Sequence, residues 1–254
     1  DSDKIDWNSY IAAIWRTNRN ELKPISEVDL IDFKTLIGVD KQIKSLCENT
    51  ERFLAGKAAN HCLLWGARGM GKSSLIKCLL NEYHDQGLRV IEIPRDDLVN
   101  IIDITDDIRS VHKKFIVFCD DLSFEEGDTS YRALKSSLEG SLEKPPANVL
   151  IYATSNRRHF LPEKMSDNLS RTNINGEIHE SDAVEEKLSL ADRFGLTLSF
   201  YAVPQDLYLD MVDGYFKGID VDKEKLHQHA INFATQKGIR SGRVAKQFYQ
   251  YYCV

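Results

Sequence analysis

Residues 61–74 read HCLLWGARGMGKSS, and everything else in the chain is best read outward from them. Gly66, Gly71, Lys72 and Ser73 fit the pattern GxxxxGK[ST] of a phosphate-binding loop. The apolar run 62–65 before it has the composition of a buried strand, and residues 74–83 after it carry a helical pattern. Strand, glycine-rich loop and helix in that order are the setting such a loop needs. Glycines let backbone N–H groups wrap phosphate oxygens, and the helix N-terminus adds a partial positive charge. On this reading Gly66, Ala67, Arg68, Gly69, Met70 and Gly71 form the cradle. Lys72 reaches the β- and γ-phosphates, Ser73 offers its hydroxyl to Mg2+, and Ser74 lines the first helical turn. A chance glycine-rich turn would lack these flanking elements. The expected ligand is a nucleoside triphosphate.

Composition sets the outer bounds. A chain of 254 residues, 42% apolar and 28% charged, is long enough for one large or two modest domains with a real core. A formal charge of −6 lacks the basic excess of a dedicated nucleic-acid binder, although a local basic patch stays possible. Cys47, Cys62, Cys78, Cys119 and Cys253 form no CxxC pair and no metal-ligand spacing, so they read as free thiols. Free thiols, no apolar run of membrane-spanning length and no signal peptide predict a cytoplasmic protein without membrane contact. The chain opens at Asp1 rather than Met, which is compatible with a preceding segment.

Five short runs rich in β-branched and aromatic residues alternate with helical patterns: 62–65, 89–93, 114–120, 148–154 and 196–202. Such alternation predicts an α/β fold with a five-stranded, mostly parallel sheet flanked by helices. The helices are expected over 39–54, 74–86, 129–143 and 182–194, the last opened by Asp182 with Glu185 as a capping pair. Residues 162–180 are polar and read as a long surface loop. After residue 202 the alternation stops, and 204–217, 222–237 and 241–251 all read as helices. The expected organisation is an α/β nucleotide-binding core over 36–202 and a small helical bundle over 203–254. Trp7, Tyr10, Ile11, Ile14 and Trp15 recur at helical spacing, so residues 1–35 read as a helical or linker segment packed on its own domain.

Hydrolysis needs more than a phosphate loop. The run 115–121, FIVFCDD, ends an apolar strand in two carboxylates at the sheet edge where ligands sit in open α/β folds. Asp120 is expected to hold Mg2+, and Asp121 to polarise the attacking water. Glu125 and Glu126 follow closely and are rival candidates for the base; a further reading makes Asp121 only a turn cap. The fourth strand ends in ATSN, where Asn156 can orient water against the γ-phosphate or simply shape a turn. Arg193, in DRFG at 192–195, and Arg243, opening the last helix, are candidate cations for the same phosphate, or surface ion-pair partners.

In this order the phosphate loop, acidic strand, polar strand end, DRFG segment and C-terminal Gly242-Arg243 pair resemble the AAA+ ATPases. The resemblance is closest to a mainly bacterial AAA+ family defined by a domain of unknown function, and it extends over nearly the whole chain. Its long matches are 49–56 (NTERFLAG), 63–69 (LLWGARG), 118–127 (FCDDLSFEEG), 151–158 (IYATSNRR) and 184–195 (VEEKLSLADRFG). The resemblance implies that Asp120 and Asp121 are the Walker B pair and Asn156 the first sensor. It further implies that Arg193 is a finger reaching the γ-phosphate of a neighbouring subunit, and Arg243 the second sensor on a helical lid. Ile37 and Gly38 look like the segment that contacts adenine. The Asp-Asp ending departs from the usual Asp-Glu and is similar to the replication-initiator and helicase-loader branch.

Three functions follow as expectations. The first is an ATPase that uses ATP and Mg2+ in a homo-oligomer to remodel or load a macromolecule, protein or nucleic acid. The second is a small-molecule kinase, for which no arginine-rich lid is visible. The third is a nucleotide-switched binding module with DNA as a candidate partner and basic clusters at 157–159 (RRH) and 237–246 as candidate contacts.

Overall fold

The computed structural model describes residues 4–122, 129–140, 142–156 and 190–252. The strands are β1 (Ala12–Arg16), β2 (Glu21–Pro24), β3 (Cys62–Gly66), β4 (Leu88–Ile93), β5 (Lys114–Cys119), β6 (Val149–Ser155) and β7 (Leu196–Phe200). They form one seven-stranded sheet in the order β2-β1-β4-β5-β6-β3-β7. All neighbouring pairs are parallel except β1 with β2 at one edge. Of the helices, α1 (Asp40–Leu54), α2 (Lys72–Tyr83), α3 (Ile101–Ile108) and α4 (Thr129–Glu139) lie among the strands. Three more, α5 (Gln205–Tyr215), α6 (Lys223–Lys237) and α7 (Gly242–Tyr252), follow β7.

Alternating side chains of the buried strands feed two apolar layers. On one face Cys62, Leu64, Ile116 and Tyr152 pack with Leu46 and Phe53 of α1 and with Leu75 and Leu79 of α2. On the other, Leu63, Ile91, Val117 and Ile151 pack with Ile104 of α3 and Leu134 of α4. Helices α5 to α7 join the first layer through Tyr208, Val212, Ala230 and Phe248. The Tyr208 hydroxyl donates to the Ala230 carbonyl at 3.0 Å, tying α5 to α6.

Two expectations change. The sheet has seven strands rather than five, and the two extra ones come from the segment read as helical or linker. The run IAAIW is apolar on every side, not only at helical spacing, and a short run of that kind is ambiguous by periodicity alone. Pairing with β4 resolves it: Ala12, Ala13 and Ile14 stand opposite Val90, Ile91 and Glu92. Trp7 then seals one face, edge-on to Phe115 with ring centroids 4.8 Å apart. Helix α3 also went unassigned, because IIDITDDI is short and β-branched. Burial of Ile101, Ile104 and Ile108 on one side holds it helical. Glu125, Glu126, the 157–159 cluster, the 162–180 loop, the Asp182 cap and Cys253 lie outside the described residues.

Candidate nucleotide site

The loop that follows β3 is shaped by close approach. Gly66 has φ 133°, and a Cβ there would stand 2.0 Å from the Phe200 carbonyl oxygen of β7. That carbonyl accepts from the Ala67 N–H at 3.1 Å, so the loop leaves the sheet pinned to its edge strand. At the tip Gly69 has φ 74°, and an added Cβ would lie 2.9 Å from Arg243 Cβ and 3.0 Å from Ser241 Oγ. Its carbonyl accepts from the Arg243 N–H at 3.3 Å. Gly71 caps α2, which starts at Lys72, two residues earlier than the sequence pattern suggested.

Lys72 is 5% exposed and uses all three ammonium hydrogens. Its Nζ donates to the Gly66 carbonyl at 2.7 Å, to the Ala67 carbonyl at 2.9 Å and to Asn156 Oδ1 at 2.9 Å. Burial pushes the amine down to about 8; Asp120 and Asp121 pull it back up, while Arg243 and Arg68 push it further down. The other end of the Asn156 amide donates to Asp121 Oδ1 at 2.8 Å. Asn156 thus bridges the loop lysine and the second carboxylate.

Asp120, just past the end of β5, meets Ser73 at the start of α2: the Ser73 hydroxyl donates to Asp120 Oδ1 at 2.7 Å. A hydroxyl and a carboxylate converging on one point are the hard oxygen donors that Mg2+ takes, so these residues fit that ion. Asp121 has φ 56°, a left-handed backbone uncommon outside glycine. Among the described residues no group of three or more His, Cys, Asp or Glu side chains is placed to hold a metal.

The remaining candidates divide. The Leu36–Gly38 segment lies between the phosphate loop and α5. Gly38 has φ 80°, and its added Cβ would be 2.6 Å from Leu207 Cδ2, while Leu36 Cδ2 lies 3.8 Å from the Cβ position of Gly71. Arg243 is exposed beside the loop tip. Arg193 is elsewhere. It precedes β7, whose far end meets the phosphate loop, and pairs with Glu139 at the end of α4.

Three side chains with a bearing on the site went unassigned in the sequence. Thr154 and Glu92 are polar residues on buried strands, and that polarity in an inward register was the available signal. Thr154 donates to Asp120 Oδ1 at 2.6 Å. Glu92 stands opposite Phe118, two residues before Asp120. Burial raises its carboxyl, with Asp120 adding to the shift and Lys77 and Arg16 opposing it. Glu139 carried no signal, because its pairing with Arg193 joins segments far apart in sequence.

A phosphate loop after β3 and a carboxylate pair after β5, with β6 between them in a parallel stretch of the sheet, give the fold of the P-loop nucleotide-binding proteins. The chain belongs to the family described as "Protein of unknown function (DUF815)", whose model matches residues 8–254. No curated protein matches it. Among solved structures it is similar to the ORC1 protein of Aeropyrum pernix in complex with DNA. That likeness has a TM-score of 0.58 and 14% identity, over 83% of this chain and 58% of that one. It is also similar to the FIGL-1 AAA domain in complex with ADP, with a TM-score of 0.53 and 17% identity over 80% of this chain and 68% of that one. The RuvB Holliday junction branch migration motor of Thermotoga maritima aligns over 87% of this chain and 71% of that one at 14% identity. Its TM-score of 0.45 is too low to argue from. At these identities the likeness speaks for the fold. Among the described residues no helix is long and apolar enough to cross a membrane.

Proposed function

We propose that this chain is a Mg2+-dependent ATPase that works in a homo-oligomer, each chain supplying the larger part of one site and a finger for the next. One observation carries the reading. Lys72, Asn156, Asp121, Asp120 and Ser73, drawn from α2 and from the residues just past β5 and β6, are joined by hydrogen bonds of 2.7 to 2.9 Å or by adjacency in the chain. A phosphate chain seated on the loop would meet a cation, a metal-binding pair and a water-orienting pair together.

In this mechanism Lys72 exchanges its carbonyl contacts for phosphate oxygens and holds negative charge as it develops. Ser73 and Asp120 would hold Mg2+, which supplies charge neutralisation across the phosphates. Asp121 takes the proton of the attacking water, and Asn156 fixes the direction of attack through its bond to that carboxylate. Ile37 and Gly38 border the adenine, and Arg243 reaches from α7 to the γ-phosphate. Residues 203–254 act as the lid carrying it. The core begins before residue 36, since β1 and β2 belong to its sheet.

Sheet register supports the assignment of Arg193 to a neighbouring copy. Gly66 pairs with Phe200 at the end of parallel β7, whereas Arg193 precedes the strand's start at Leu196, so the strand's length of roughly 13 Å separates the two levels. An arginine at that end is out of reach of its own loop. The macromolecule acted on is a protein or nucleic acid.

The decisive experiment measures ATPase rate per chain against protein concentration, together with mass in the presence and absence of ATP. The rate should rise with assembly. Arg193→Ala should spare ATP binding and lower turnover on the order of 10³-fold or more. Lys72→Ala should abolish ATP binding. A rate independent of concentration and untouched by Arg193→Ala overturns the shared site. Retained binding in Lys72→Ala overturns the loop assignment. Phosphate transfer to an added small acceptor would establish a kinase instead.

A further inference from the structure

Thr154, on β6 beside the acidic turn, is buried, at 2% exposure. A hydroxyl inside a sheet must find partners, and this one finds two. It donates to Asp120 Oδ1 at 2.6 Å and accepts from the Asp121 backbone N–H at 2.8 Å. The same oxygen of Asp120 takes the Ser73 hydroxyl at 2.7 Å, so one carboxylate oxygen is located by donors from both sides. The chain around it is held as well: the Leu122 N–H donates to the Thr154 carbonyl at 2.7 Å. Ser155 Oγ donates to the Leu122 carbonyl at 3.0 Å. Asp121 lies between these anchors in its left-handed conformation, φ 56°, which sends its carboxylate toward Asn156.

We infer that Thr154 is the positioning residue of the site. Its single hydroxyl sets both the Asp120 carboxylate that would hold Mg2+ and the backbone turn that presents Asp121 to water. It touches neither phosphate nor water itself. The assignment rests on the proposed ATPase reading. Its physical basis is that groups orienting a metal's ligands govern affinity nearly as strongly as the ligands do.

The test uses the full chain with Thr154→Val, which keeps the shape and removes the hydroxyl, and Thr154→Ser, which keeps the hydroxyl and removes the methyl. Mn2+ binding in the presence of a non-hydrolysable ATP analogue is read by electron paramagnetic resonance. Thr154→Val should weaken Mn2+ by about 10- to 100-fold, and Thr154→Ser should restore it. Analogue affinity without divalent metal should stay at the wild-type level, while affinity for the metal-analogue complex should weaken by the same factor as Mn2+ binding. Wild-type Mn2+ affinity in Thr154→Val overturns the proposal. So does a Thr154→Ser chain as weak as Thr154→Val, which would show that the methyl's packing matters and the hydroxyl does not. If Thr154→Val fails to fold, Thr154→Ala against Thr154→Ser makes the same comparison. Lys72→Ala separates the two levels of failure. If it still binds the analogue, the ATPase reading falls; if it does not while Thr154→Val matches wild type, only the role of Thr154 falls.

Discussion

Mild acid should loosen the start of strands β3, β6 and β7, through His61. The residue stands immediately before β3, and its Nδ1 accepts from the Ile151 backbone N–H at 2.9 Å. Its carbonyl accepts from the Leu196 N–H at 3.1 Å, so this one residue clips the starts of β6 and β7 to β3. The Nδ1 bond exists only while that nitrogen carries no proton. Burial pushes the imidazole down to about 4 from an ordinary value of 6.5. The folded pKa is depressed, so as pH falls below about 6.5 the unfolded chain takes up the proton first and stability declines. The decline continues until the folded form also protonates near 4 and then levels off. At about 1.4 kcal/mol per pK unit, the gap of roughly two and a half units amounts to about 3 kcal/mol. For a chain of this size that corresponds to roughly 10 °C in melting temperature. The assay is denaturant unfolding at a series of pH values, wild type against His61→Asn, whose Oδ1 keeps an acceptor in place and does not titrate. The difference between the two curves should open across that window. If the curves stay parallel, or if the His61 ring titrates near 6.5 by NMR, the reasoning is refuted.

Other outcomes follow from the site. Because burial lowers the Lys72 amine to about 8, apo protein should lose this charge in alkaline solution. ATP affinity should then weaken about tenfold between roughly pH 7 and 9, with a proton taken up on binding near pH 9. Calorimetry in buffers of different ionisation enthalpy detects that proton, and a flat affinity with no uptake contradicts the assignment. Gly66→Ala places a Cβ 2.0 Å from the Phe200 oxygen at a φ of 133°. It should cost about 3 kcal/mol or more, seen in thermal melting, and a loss below about 1 kcal/mol would show that β7 yields easily. Asp121→Asn should keep ATP binding while lowering turnover by about 10²- to 10⁴-fold. Normal turnover would transfer the role of base to Glu125 or Glu126.

Reading the chain alone went furthest where chemistry is local. The phosphate loop is a contiguous motif whose residues must be adjacent to work, so Gly66 to Ser74 and the carboxylates after FIVFC were recognisable without any fold. Buried parallel strands announce themselves by continuous apolar runs, and all five runs so read are strands of the sheet. Segments that serve two periodicities are a different matter. IAAIW satisfies helix and strand alike, and only its pairing with β4 selects one. Thr154 and Glu92 belong to no motif of their own, and only the strand order sets them near Asp120. The pairing of Arg193 with Glu139, and the distance of both from the phosphate loop, exist in no stretch of sequence. Residue type and spacing thus determined which chemistry the chain carries, because a motif's physics is confined to a few adjacent residues. The packing of β4, β5, β6 and β3 side by side decided which groups share a hydrogen bond and which face away, because that depends on strand order and register.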